Sequence, residues 1–208
     1  MRQLWFSILL FCCIGTFGQK QPVAVTSKQL PKGLAYTGRV THAVKWTDNT
    51  GLHYVLTTET SEVPSKAEGD EDARDAALYA YHYLINGDST KLYWKIYDYV
   101  NGCGLDLLLH FIDKAFAVTD LDKNGTPEVW VMYKNSCQGD VSPVPAKIIM
   151  YEGTKKYALR GDMRVQVSAQ KFAGGNYTLD DNFRKSNPLF RQYAARLWEK
   201  YKTETWQH

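Results

Sequence analysis

The sequence has little net charge and lacks the motifs by which catalytic sites are usually recognised. Its 25 basic and 22 acidic residues leave a charge of +3, which is too small to indicate binding to nucleic acid or to an anionic membrane. It contains no Gly-x-Ser-x-Gly elbow, no His-Glu-x-x-His pair and no Walker loop. These absences leave enzymatic activity undecided and favour a binding or structural role.

The residues that are abundant indicate a β-rich protein. The 208 residues include 14 tyrosines and six tryptophans, and flat amphipathic rings suit the pleated, half-exposed surface of a sheet. A chain of this length corresponds to about one domain. We therefore predict a signal peptide followed by one mainly β (α+β) domain over residues 19–208, an antiparallel hairpin meander with a C-terminal helix.

Residues 1–18 have the three parts of a secretory signal peptide. A single arginine precedes an apolar run at 4–14, and small residues at 16 and 18 precede a cleavage site before Gln19. The run is too short to span a bilayer, which takes about 20 residues. The alternatives are a buried N-terminal segment and a lipid anchor on a cysteine at the end of the run. The prediction is export to the periplasm or cell surface, with no transmembrane segment in the mature chain.

In an exported protein, the cysteines outside the signal peptide are expected to form a disulfide. Cys103 and Cys137 are the two cysteines outside the predicted signal peptide, and an even pair in an oxidising compartment is most simply a disulfide. Such a bond stabilises by about 3–4 kcal/mol in the chain-entropy model. Free or metal-binding thiols are the alternative, although the pair lacks a Cys-x-x-Cys spacing.

Alternation of apolar and polar residues predicts a series of antiparallel hairpins. Turn residues such as Asn86-Gly87-Asp88 separate the strands of each pair. Residues 104–113 have a weaker pattern, for which we predict a short helix. The four predicted hairpins pair 40–47 with 52–59, 78–85 with 92–100, 115–119 with 128–134, and 146–151 with 157–160.

The end of the chain changes to a helical period. Asn187 and Pro188 form a cap and a first-turn proline. Apolar residues then recur at spacings of three and four, which produces one apolar stripe. We predict an amphipathic helix over about 187–205 that packs on one face of the sheet.

One loop carries the oxygen atoms of a cation site. Calcium binds six to eight oxygens, and a tight loop supplies them from alternate residues around a glycine, here Gly125. An EF-hand would also need an acid at its twelfth position, which is Val131 here. An Asp- and Asn-rich turn without metal is the alternative. The predicted Ca²⁺ ligands are Asp120, Asp122, Asn124, Glu128 and the backbone carbonyl of Thr126.

The same loop resembles the calcium-binding hairpin of extracellular FG-GAP β-propeller repeats, with Asn124 in place of the third aspartate. Together with the segments AVKWTD, LYAYHY, WKIYDYV and those that follow Cys137, it also resembles an exported family of Bacteroidota. That family is carried under a surface-polysaccharide-biosynthesis name, and the resemblance covers about residues 36–165. It implies a role in making or displaying surface polysaccharide, and it assigns no catalytic residue.

A tyrosine-rich hairpin offers a surface on which sugar rings stack. Alternation along its two strands places three tyrosines of each strand on one face. The alternative is that these rings only stabilise the sheet or lie under the helix. The predicted glycan-stacking residues are Tyr79, Tyr81, Tyr83, Tyr93, Tyr97 and Tyr99.

The sequence thus predicts an exported, calcium-stabilised β-domain that binds or organises cell-surface polysaccharide. The predicted partner is a surface glycan or an envelope protein. Two alternatives stay open: a polysaccharide-processing enzyme with a carboxylate pair near Asp140, and a subunit that docks on envelope proteins through its aromatic face. A carboxylate pair in a cleft would favour the enzyme, and a flat aromatic platform would favour the binder.

Overall fold

Two stacked antiparallel β-sheets, with helices on the second, form the part of the chain that the computed structural model describes. These are residues 21–66 and 71–204, so the predicted signal peptide at 1–18 lies outside them. Every strand pair within the sheets is antiparallel. The predicted mainly β fold of antiparallel hairpins is confirmed.

The first sheet contains two of the predicted hairpins. Its strands are β1 (Val23–Ala24), β2 (Arg39–Asp48), β3 (Gly51–Glu59), β4 (Val63–Pro64), β5 (Arg74–Asn86) and β6 (Ser89–Cys103). Their order is β1-β2-β3-β5-β6, and β4 also pairs with β5. Gly87 makes the tight β5–β6 turn possible because its φ of 58° lies in the left-handed region.

The second sheet contains the other two hairpins. The next strands are β7 (Asp106–Phe111), β8 (Ala117–Thr119), β9 (Glu128–Gln138), β10 (Pro145–Glu152), β11 (Lys155–Asp162), β12 (Val165–Ser168), β13 (Lys171–Ala173) and β14 (Tyr177–Leu179). The order of the sheet is β7-β9-β10-β11-β14, with β8 also paired to β9, while β12 and β13 form a separate ribbon. The helix predicted for 104–113 is wrong, because this segment contains the strand β7.

The second sheet is covered on both faces. One face packs against the first sheet, and the core between them includes Trp46 and Val55 from the first sheet and Val131 and Ile149 from the second. The opposite face packs against the two α-helices that occur among the described residues. When both faces of a sheet are buried, apolar residues occupy successive positions of its strands. This explains why apolar and polar residues do not alternate clearly along β7.

The C-terminal helix is α2 (Pro188–Tyr201), which follows the short helix α1 (Asp181–Arg184). The side chain of Asn187 caps α2 by accepting a backbone hydrogen bond of 3.0 Å. Phe190 and Trp198 are buried against the second sheet, and each buried side chain of this kind stabilises by roughly 1.5–3 kcal/mol. The predicted packed helix is confirmed. Among the described helices, none is both long and apolar enough to cross a membrane.

A disulfide joins the two sheets. Cys103, the last residue of β6, is bonded to Cys137 in β9, with their Cα atoms 5.6 Å apart. Cys103 is fully buried. The predicted bond is confirmed, and it fixes one end of the first sheet to one end of the second.

Candidate functional site

The predicted cation loop connects β8 to β9 and reverses the chain tightly. Lys123 and Gly125 have left-handed backbones, with φ of 58° and 81°. Asp120, Asp122 and Glu128 meet in the loop, and each offers a carboxylate oxygen within 4.8 Å of those of the other two. The structure therefore brings together the three carboxylates of the predicted ligand set.

Glu128 anchors the loop to the sheet and is completely buried. Its carboxylate accepts hydrogen bonds from Thr119 Oγ1 at 2.6 Å and from Leu121 N at 3.0 Å. Burial, followed by the charges of Asp122 and Asp120, raises the pKa of Glu128 against the lowering effect of those hydrogen bonds. Asp120 Oδ1 is buried and has no hydrogen-bond partner among the described residues. A cation between the carboxylates would relieve the repulsion and pair this oxygen.

Asn124 and Thr126 stiffen the loop through contacts of their own. Asn124 Oδ1 accepts a hydrogen bond from Thr126 N at 2.7 Å. Its Nδ2 donates to Asp122 Oδ2 at 3.2 Å and to Glu152 Oε1 at 2.8 Å. In this arrangement Asn124 presents N–H groups to the carboxylates, and the ligand roles of its oxygen and of the Thr126 carbonyl stay predictions.

Five of the predicted glycan-stacking tyrosines share the outer face of the first sheet. The rings of Tyr79 and Tyr97 are stacked with their centres 5.0 Å apart, and those of Tyr97 and Tyr99 are 5.3 Å apart. The Nζ atom of Lys95 lies 4.8 Å from the centre of the Tyr79 ring. We call this set the tyrosine ladder: Tyr79, Tyr81, Tyr83, Tyr97 and Tyr99.

One end of the ladder is covered by the chain that precedes β2. Thr37 N donates to Tyr81 Oη at 3.1 Å, and Tyr83 Oη donates to the carbonyl of Ala35. Both rings are buried, so these two tyrosines are not open to a glycan. The open end, which we call the tyrosine platform, consists of Tyr79, Lys95, Tyr97 (54% exposed) and Tyr99 (48% exposed).

Tyr93 lies on the opposite face of the first sheet, so its predicted place beside the other tyrosines of β6 is wrong. The pairing of β5 with β6 shifts between His82 and Tyr83, and Tyr93 is the extra residue of a β-bulge. Its ring meets the His82 ring at 5.2 Å, edge to face, and it packs against the core between the sheets.

Asp140 stands in an exposed turn that both of its carboxylate oxygens stabilise. Oδ1 accepts from Ser142 N at 3.0 Å and Oδ2 accepts from Ser142 Oγ at 2.9 Å, and these bonds lower the pKa of Asp140. Glu62 and Asp106 line the same open groove, where Glu62 pairs with Arg74 at 2.6 Å. The general acid of a glycosidase needs a raised pKa, so this geometry favours a turn over an acid catalyst.

A cleft of about 340 Å³ opens between the sheets beside the cation loop. Turn residues from both sheets line it: residues 48–50 from the first sheet, and residues 124–127 and Gly153 from the second. This volume is at the lower end of the range for small-molecule sites, about 300–1,000 Å³. The aromatic side chains that line the cleft are Trp46, His53, His82 and Tyr93.

Two buried histidines and an aspartate form a hydrogen-bonded chain in this cleft. Asp48 Oδ1 lies 3.0 Å from His53 Nε2, and His53 Nδ1 lies 2.8 Å from His82 Nε2. Burial above all, with the neighbouring His53, lowers the pKa of His82 to about 3, so the ring of His82 is uncharged at neutral pH. Sequence reasoning missed this site. The register of the first hairpin sets Trp46 directly opposite His53, but the contact of His53 with His82 depends on the pairing of β3 with β5, for which the sequence has no local signal.

The chain matches no protein-family model, no curated protein and no solved structure. The resemblance to an exported polysaccharide-related family therefore stays a prediction, and a function has to be argued from the geometry of the molecule.

Proposed function

We propose that this protein is an exported, calcium-stabilised domain that binds cell-surface polysaccharide and serves its biosynthesis or display. The tyrosine platform is the observation that carries the proposal. Its stacked rings lie on the outer face of a sheet and offer an apolar surface to the C–H face of a sugar. The phenol groups and Lys95 supply hydrogen bonds to the sugar hydroxyls.

The exposure of the platform argues for a role beyond the stability of the sheet. Tyr81 and Tyr83 are buried and contribute to the core, whereas Tyr97 and Tyr99 leave about half of their surfaces to solvent. Lys95 lies over the platform ring of Tyr97 as well as that of Tyr79. Its charge favours a glycan that carries carboxylates, so we expect acidic polysaccharides to bind more tightly than neutral ones.

The disulfide supports the export part of the proposal. Disulfides persist in oxidising compartments such as the periplasm and the cell surface and are rare in the cytosol. The bond between Cys103 and Cys137 therefore fits the signal peptide that the sequence predicts.

The cation loop supports the calcium part. Three carboxylates that approach one another, one of them fully buried, repel in the absence of a counter-charge. Hard oxygen ligands suit calcium better than zinc, and calcium accepts a less regular geometry than magnesium does. An ion bound by Asp120, Asp122 and Glu128 would hold the β8–β9 loop in place at one end of the sheets.

Binding of the mature chain to soluble acidic and neutral polysaccharides, measured by affinity electrophoresis and calorimetry, tests the proposal. Tyr97→Ala and Tyr99→Ala should each weaken binding by about three- to tenfold, as expected for the loss of one stacked ring. Phe172→Ala is the matched control, because Phe172 is also exposed (43%) but lies on the separate ribbon.

Two results would overturn the proposal. One is the absence of binding to every polysaccharide tested, and the other is an equal loss of affinity in Phe172→Ala. Docking on an envelope protein would use the same platform. A competition experiment distinguishes glycan binding from protein docking. Soluble polysaccharide should block a platform that binds glycan and should not block one that binds only an envelope protein.

A further inference from the structure

The cleft beside the cation loop gathers buried polar atoms that have no partner. Five such side-chain atoms occur among the described residues, and three of them are Trp46 Nε1, His82 Nδ1 and Trp94 Nε1. Trp46 and His82 line the cleft, and the Trp94 ring lies 5.3 Å from that of His82. Buried polar groups are normally hydrogen-bonded, and each exception calls for an explanation such as a bound molecule.

The hydrogen-bonding roles of these atoms can be assigned. An indole N–H only donates, and the Asp48 carboxylate only accepts, so His53 Nε2 donates to Asp48. His82 is uncharged, so one of its ring nitrogens donates and the other accepts. The bond with His53 Nδ1 uses Nε2, and Nδ1 is left without a partner. The unpaired atoms of the residues that line the cleft are therefore the indole N–H of Trp46, which donates, and Nδ1 of His82.

We propose that the cleft binds one sugar residue, such as the end of a glycan chain, with its hydroxyls bonded to Trp46 and His82. A hydroxyl both donates and accepts, so neighbouring hydroxyls satisfy an indole N–H and an imidazole nitrogen at once. The rings of Trp46 and Tyr93 supply an apolar wall for the C–H face of the sugar. The volume of about 340 Å³ suits a small ligand.

This site is separate from the tyrosine platform. The platform lies on the outer face of the first sheet, whereas Trp46 and Tyr93 pack on the face toward the second sheet. The inference takes one thing from the proposed function, which is that the ligand is a sugar. The cleft and its unpaired atoms are observed independently of that function. A protein with both sites would hold the body of a glycan on the platform and a chain end in the cleft.

Titration of the ¹⁵N-labelled mature protein with glucose, galactose, mannose, N-acetylglucosamine and glucuronate tests the inference. The indole N–H signal of Trp46, assigned by loss in Trp46→Phe, should shift and saturate with at least one of these sugars. The signal of Trp198 is the internal control, because its Nε1 already donates to Gly175 O at 2.9 Å, and it should not move. If no sugar shifts the Trp46 signal, the inference is overturned.

Variants separate this site from the platform. His82→Phe should weaken the binding of the active sugar by about tenfold, the loss expected for one hydrogen bond, while Tyr97→Ala should leave it unchanged. An unaltered Trp198 signal shows that a variant is folded, and the titration of the native protein decides the question if His82→Phe is not. Polysaccharide binding without a shift at Trp46 would overturn the cleft site alone. A shift at Trp46 without platform binding would overturn the proposed function alone.

Discussion

The Glu128→Gln change tests the calcium site, because its effect on stability should change sign with the metal. Glutamine keeps the size of the side chain and an oxygen that accepts from Thr119 or Leu121, but it has no charge. Without calcium, the variant should be as stable as the native protein or more stable, since the buried charge beside Asp120 and Asp122 is gone. With calcium, the variant should be the less stable protein, because the ion loses a charged ligand.

The size of the calcium effect follows from mass action. An ion that binds only the folded state adds about 2.7 kcal/mol at a concentration a hundredfold above its Kd. In chains of about 150–250 residues, 1 kcal/mol raises Tm by roughly 2–4 °C. We therefore expect calcium to raise the Tm of the native protein by roughly 5–11 °C. The pKa of Glu128 is raised, so protons compete with the ion and the increase should shrink as the pH is lowered from neutral.

Thermal unfolding followed by circular dichroism in calcium, in magnesium and in chelator measures this effect. Magnesium should stabilise much less, because it demands strict octahedral geometry and gives up water reluctantly. Asp88→Asn changes an exposed carboxylate in the β5–β6 turn and should keep the full calcium response. Equal melting temperatures of the native protein in calcium and chelator would refute the reasoning, as would a full response in Glu128→Gln.

Three other measurements check separate parts of the structure. Replacing Cys103 and Cys137 by alanine should lower the free energy of unfolding in urea by about 3–4 kcal/mol, since the bond closes a loop of 34 positions; an unchanged value would contradict the entropic argument. Stability should fall as the pH drops from 6.5 toward about 3, because the unfolded chain protonates His82 and the folded chain does not. This loss amounts to at most about 1.4 kcal/mol per pH unit, and an equal slope in His82→Gln would assign it to other groups. Expressed with its leader in a Gram-negative host, the protein should begin at Gln19 by mass spectrometry, and recovery of the full-length chain would count against export.

The hairpins and the disulfide were predictable because local chemistry determines them. A turn that contains Asn86-Gly87 fixes which strands pair, and alternation fixes which face is buried. The two cysteines outside the predicted signal peptide leave one pairing. The helix was predictable for the same reason, since Asn187 and Pro188 specify where it begins.

The sheet face on which an individual side chain lies was less predictable. A β-bulge changes the alternation of the two faces and leaves no signal in the sequence. One register shift between Val40 and His42 and another between His82 and Tyr83 each insert a residue. The second of them moves Tyr93 from the predicted platform to the cleft. Burial of Tyr81 was equally hidden, since its partner Thr37 is 44 positions away in the chain.

The cleft could not be predicted, because it forms only where the ends of two sheets meet. Asp48 and His53 belong to the first hairpin and His82 to the second, while Gly125 belongs to the other sheet. Within its own strand, neither histidine belongs to a pattern that indicates a site. Their contact depends on the β3–β5 register and on how the sheets stack, and neither appears as a local pattern.

The disulfide also determines how the chain responds to mechanical tension. Cys103 and Cys137 are 34 positions apart, so the residues between them form a covalent ring that tension applied to the two ends of the chain cannot extend. The ring contains β7, β8 and the acidic residues Asp120, Asp122 and Glu128, and it withholds roughly 110–120 Å of contour length. A molecule stretched from its two ends would therefore extend only the strands outside residues 103–137, while the segment that carries the cation loop stays closed on itself until the bond is reduced.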